Sequence, residues 1–162
     1  MGLTAPLILL SLAWSAPAPG PTVGMRLPDY ALLDATARQP VRPAALPEPV
    51  LVLNFFAFWC DTWIAELPQL RELAAQQQVL GFRLLSISID GAWSEQLQVV
   101  CGGRLPFPVL LDLDSRLSTR LQVRRVPTIL VADRRRRLTY VHEGYPGNPA
   151  ILRAVRAAGA PL

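Results

Sequence analysis

The chain has 162 residues, 51% of them hydrophobic and 17% charged, which is enough apolar material for one domain with a real core and too little charge for a disordered chain. Its net charge of +4 is 16 basic against 12 acidic side chains, and four of the basic ones are the run Arg134 to Arg137; without that run the signs balance at 12 each, which argues against a nucleic-acid partner. One histidine and two distant cysteines leave no metal constellation, and no cofactor is expected.

Leu3 to Ala13 is an apolar stretch of eleven residues followed by the Pro-rich segment Ser15 to Pro21. That is the size of a secretory h-region and too short to span a bilayer, so residues 1–24 are expected to be a signal peptide and leader, with the folded domain over 25–160. The expected location is the bacterial periplasm, or the membrane surface if the leader stays attached. Without a cysteine near the h-region, lipid modification is excluded.

From Thr22 to Pro49 the chain is turn-rich, and Tyr30 to Leu33, a polar turn and Pro40-Val41 form a strand and its return. Val50 to Phe58 is a run of branched and aromatic residues suited to a strand buried on both faces. From Ile64, apolar residues recur at Leu67, Leu70 and Ala74, the spacing of one helical face. Cys60 stands at the joint, where unpaired N–H groups and the helix dipole favour a thiolate and the neighbouring Asp61 opposes it. Phe82 to Asp90 is a second core strand, Ser94 to Cys101 a short helix ended by Gly102-Gly103, Phe107 to Asp112 a strand and Ser115 to Leu121 a helix. Thr128 to Ala132 and Leu138 to Glu143 make a hairpin around the arginine run, whose simplest reading is a solvated turn, with contact to a membrane surface or anionic partner as the alternative. The last helix has Asn148 as N-cap, Pro149 in the first turn and Gly159 as its stop. Alternating strands and helices closed by a hairpin and a helix predict an α/β fold around a mixed sheet. His142, in the hairpin, is assigned a structural or surface role.

The segment Asn54-Phe55-Phe56-Ala57-Phe58-Trp59-Cys60, followed by Ala65-Glu66-Leu67-Pro68, resembles the active-site region of the thioredoxin superfamily, most closely the TlpA-like thiol-disulfide oxidoreductases. The resemblance implies a thioredoxin-like fold with an N-terminal hairpin extension and an inserted helix. It also implies that Cys60 is the attacking thiol. The chain departs from that pattern at Trp63, which stands where the second, resolving cysteine of C-x-x-C belongs. Arg125-Val126-Pro127-Thr128 resembles the family's V-P-T segment, which implies a cis Val126-Pro127 bond and a backbone edge for an extended client. Trp59 and Trp63 flank the thiol as candidate client-binding residues, with core packing as their alternative.

Two functions remain open at this point. One is an oxidoreductase that forms mixed disulfides through Cys60 with a protein or small-thiol client and relies on an external resolving thiol. The other is a non-catalytic module that binds extended peptides in the same groove. A one-cysteine peroxidase is less favoured, because the P-x-x-x-T-x-x-C pattern finds Leu53 and Ala57 in its proline and threonine places. A copper chaperone of the C-x-x-x-C type fails at Ile64. Cys101 is expected to be a free thiol, since it ends a helix running away from Cys60.

Overall fold

The computed structural model describes residues 20–90 and 105–159. Its centre is strand β3, Val50–Phe56, buried along its whole length, where its branched and aromatic residues belong. It pairs in parallel with β4 (Phe82–Ser88) and antiparallel with β6 (Thr128–Ala132). Around it lie β1 (Leu32–Asp34), β2 (Pro40–Val41), β5 (Val109–Leu111) and β7 (Leu138–Glu143), in the sheet order β2-β1-β5-β4-β3-β6-β7. The helices are α1 (Asp61–Ala75), α2 (Gln77–Leu80), α3 (Arg116–Arg120) and α4 (Asn148–Ala157). One 3-10 turn, Pro43–Ala45, lies in the proline-rich stretch before β3.

Side chains alternate across a strand, so the buried strands feed two cores. Val50, Val52 and Phe56 of β3, with Leu84 and Val131, pack against α1 and α4. Leu51, Leu53 and Phe55, with Leu85 and Leu130, pack against α3 and Leu27 of the N-terminal segment. That segment is tied to the start of β7 and the turn before it, through Gly24 N–H to the Leu138 carbonyl and Leu27 N–H to that of Arg136, each at 2.7 Å.

The mixed α/β sheet is the one expected from the sequence, and the hairpin strands β6 and β7 fall on the expected residues. Three details differ. The core face of α1 is Trp63, Glu66, Leu70, Leu73 and Ala74, while Ile64 is half exposed, so the buried stripe is rotated from the expected Ile64-Leu67-Leu70-Ala74. The cap of α4 is Gly147, at φ +82°, and Asn148 opens the helix. The side chain of Asn148 is engaged elsewhere: its amide oxygen accepts from the Tyr145 hydroxyl at 2.6 Å and its nitrogen donates to the Gln69 carbonyl of α1 at 2.9 Å. Third, Arg136 of the arginine run is half-buried rather than solvated, its guanidinium donating to carbonyls of the 3-10 stretch at Ala44, Leu46 and Glu48. The helix expected over 94–101, with Cys101, lies outside the described residues, as do residues 1–19 of the expected signal peptide and leader. Among the described residues no helix is long and apolar enough to cross a membrane.

Candidate thiol site

The site is built where β3 hands over to α1. The linking loop is anchored from β4: Ile89 N–H donates to the Phe56 carbonyl at 3.0 Å, and the Asp90 carboxylate accepts from Phe58 N–H at 2.9 Å and from the Ser88 hydroxyl at 2.7 Å. A charged acceptor serving two donors makes a stiff clamp. Cys60 follows as N-cap of α1, with extended backbone at φ −97° and ψ 99°. Its own N–H donates to the Ala57 carbonyl and its carbonyl accepts from Trp63 N–H, both at 3.1 Å. The thiol therefore leaves a fixed backbone at the positive end of the helix.

Cys60 is a free, partly exposed thiol. Its Sγ lies 2.7 Å from the Thr62 hydroxyl and 3.9 Å from the Val126 carbonyl oxygen. Val126-Pro127 is cis, as the resemblance implied. This loop is pinned on both sides of the proline: the Thr128 hydroxyl donates to the Arg125 carbonyl, and Gly144 N–H to the Pro127 carbonyl, each at 2.7 Å. Residues 66 apart in sequence are thus brought face to face at the thiol.

The two flanking tryptophans separate. Trp59 is 72% exposed and, with Ile64 at 50%, leaves apolar surface beside the thiol. Trp63 is 0% exposed, so the expectation that it helps bind a client from the surface is corrected. Its ring stacks on Phe56 at 3.8 Å between centroids and 10° between planes, with Phe58 edge-on to it. As the third residue of α1 it points down into the sheet, and stacking and burial hold it there. In the place of a resolving thiol the chain has a core aromatic.

One turn further, Glu66 is buried on the same face. Burial pushes its carboxyl up to about 7. Neither Glu66 Oε2 nor Trp63 Nε1 has a hydrogen-bond partner. Tyr145 is raised from the ordinary phenol value by burial and then by the charges of Glu66 and Glu72. Thr62 and Asp90 carried no sequence signal of their own, since their roles depend on where the loop and β4 end. Glu66 was visible within the E-x-P pattern, but its burial is a product of packing. Leu53 and Ala57 are both fully buried apolar residues, so neither offers a hydroxyl to a peroxide.

Comparison with known proteins agrees with this geometry. The "AhpC/TSA family" profile matches residues 23–141. The thiol-disulfide oxidoreductase ResA of Oceanobacillus iheyensis is 28% identical over 109 residues, which cover 65% of this chain and 57% of that relative. The chain thus spans little more than half the length of that relative. The thio-disulfide isomerase of Thermus thermophilus superimposes with a TM-score of 0.70 at 31% identity, over 87% of this chain and 99% of that one. The exposed lipoprotein thioredoxin of Streptococcus pneumoniae does so with a TM-score of 0.70 at 25% identity, over 80% and 99%. A match over most of the length, on the same fold, means that the chain belongs to the AhpC/TSA family, as a TlpA-like member of the thioredoxin superfamily.

Proposed function

We propose that the protein carries out thiol-disulfide exchange through Cys60 alone. The observation that carries this reading is the free, partly exposed Cys60 Sγ at the start of α1, 3.9 Å from the Val126 carbonyl of the cis-proline loop. In the first step the Cys60 thiolate attacks one sulfur of a client disulfide. A Cys60–client disulfide forms, and the other client sulfur leaves as a thiolate. With Trp63 in the core, no thiol on α1 attacks next. An external thiolate takes the client sulfur instead, restoring Cys60 as thiolate and leaving the client joined to the external thiol, so sulfur and electron counts balance. In this reading the backbone of half-buried Val126 pairs with an extended client, and Trp59 and Ile64 cover its apolar side chains.

Incubation with oxidised glutathione should give a glutathione adduct on Cys60 that reduced glutathione removes, read by intact-mass spectrometry in a Cys101→Ala background. Cys60→Ser should abolish it. A folded protein that gains no adduct on Cys60 would sink the exchange reading.

The exposure of Trp59 favours a second reading, in which the same face holds peptides without chemistry. It predicts peptide binding that survives Cys60→Ser. We also propose that the protein works outside the cytoplasm, supported by the apolar Leu3 to Ala13 stretch and by the relative described as an exposed lipoprotein. Finding the full-length chain in the cytosolic fraction of its host would overturn this.

A further inference from the structure

A second feature lies on the other sheet face, where α3 and the N-terminal segment meet. A cavity of about 530 Å3 is lined by Arg26, Arg120, Arg136 and Tyr30, among others. It adjoins a second cavity of about 400 Å3 that shares Tyr30 and Arg120 and adds Arg116. The acids in these walls are already engaged: Asp29 pairs with Arg42 at 2.5 Å and Asp114 with Arg116 at 2.8 Å. Arg136 spends its nitrogens on backbone carbonyls, which fixes its charge in the wall. Arg26 and Arg120 are exposed in the cavity lining. A concave site whose lining carries an excess of one sign of charge, here three arginines against Asp29, concentrates the opposite ion. Its volume is that of a small-molecule site.

We propose that this trough binds a phosphoryl dianion. Guanidinium groups match phosphate oxygens in pairs, and the two forks of Arg26 and Arg120 with the Tyr30 hydroxyl suit the three oxygens of a phosphoryl group better than the two of a carboxylate. The dianion is either a soluble organic phosphate or the headgroup of an anionic phospholipid, and the concavity favours the soluble form. The site is independent of Cys60, which lies at the start of α1 across the sheet.

The test is calorimetric titration of inorganic phosphate and of pyrophosphate into the full chain at constant ionic strength. Saturable binding is expected, and it should weaken by about tenfold or more when Arg26→Gln and Arg120→Gln are combined. Both side chains are exposed, so this variant should fold; its melting temperature without phosphate checks that. A control with the same charge change, Arg71→Gln with Arg153→Gln, should bind as the parent does. Cosedimentation with vesicles containing phosphatidylglycerol, competed by free phosphate, would identify the lipid headgroup as the source. Phosphate binding without cosedimentation would identify a soluble ligand. Binding that does not saturate, or that falls equally in both double variants, would overturn the proposal.

Discussion

Glu66 is the side chain whose environment departs furthest from its chemistry. It lies on the core face of α1, one turn after Trp63, with one carboxylate oxygen unpartnered, and burial raises its carboxyl from 4.5 to about 7. A carboxyl with a raised folded value holds its proton in the native state over a range where the unfolded chain has lost it. The native state then binds more protons than the unfolded state between about pH 4.5 and 7, and stability falls as pH rises through that window. The loss should be on the order of 2 kcal/mol between pH 5 and pH 8. Urea denaturation at several pH values should show this slope in the parent and a flatter one in Glu66→Gln, whose amide cannot ionise. Equal slopes in the two proteins would mean that the Glu66 carboxyl ionises in the folded state as readily as in the unfolded chain.

The short helix α3 shows a cap supplied from outside the helix. Ser115, at its N-cap, sits at φ +53° and makes no side-chain cap. The carboxylate of buried Asp112, three residues earlier, accepts from Leu117 N–H at 3.1 Å and Ser118 N–H at 2.8 Å. Those are the donors an N-cap side chain normally serves. Asp112→Ala should cost about 2 kcal/mol in chemical denaturation, since it removes two charge-assisted bonds and leaves buried donors behind. At α1, Trp63→Cys should lower stability by about 3 kcal/mol through loss of the Phe56 stack and the cavity left behind. It should also, in a Cys101→Ala background, allow a reversible Cys60 disulfide to form on oxidation. Thiol counting by mass spectrometry checks this, and two persistent free thiols in a folded variant would show that the helix start holds the two positions apart. Strand β3, strands β6 and β7 and the cis proline were legible because each depends on local composition or on a short family pattern. The facing of Trp63 and Ile64 was not. A stripe through Ile64, Leu67 and Leu70 and one through Trp63, Glu66 and Leu70 share the helical period, and only the sheet beneath decides which turns inward. Asp112 escaped notice for a related reason, because a cap is sought next to the helix and this one is made three residues away.

Across the fold, the arginine run that dominates the net charge is divided in its work. Arg134 and Arg135 are exposed at the β6–β7 turn. Arg136, at φ +59°, turns its guanidinium onto the carbonyls of Ala44 and Glu48 at 3.1 and 2.9 Å, and onto that of Leu46. Arg137 donates to the Gly24 carbonyl at 3.2 Å. Burial lowers the Arg136 guanidinium from the usual arginine range, with Glu48 and Asp133 pulling the other way, as expected for a charge used as a structural donor. One side chain thus joins the turn at the end of β6 to the proline-rich stretch before β3, segments about 90 residues apart. This stretch has little regular structure to satisfy its own carbonyls, and the arginine does so for it. Arg136→Ala should therefore cost about 3 kcal/mol and lower the melting temperature by several degrees, because several carbonyls lose a charged donor together. Arg134→Ala and Arg135→Ala should stay within about 0.5 kcal/mol of the parent. All three remove one positive charge, so net charge cannot explain a difference among them. Equal effects would show that the 3-10 stretch is held by its own prolines and by the core, with Arg136 resting on a segment already in place.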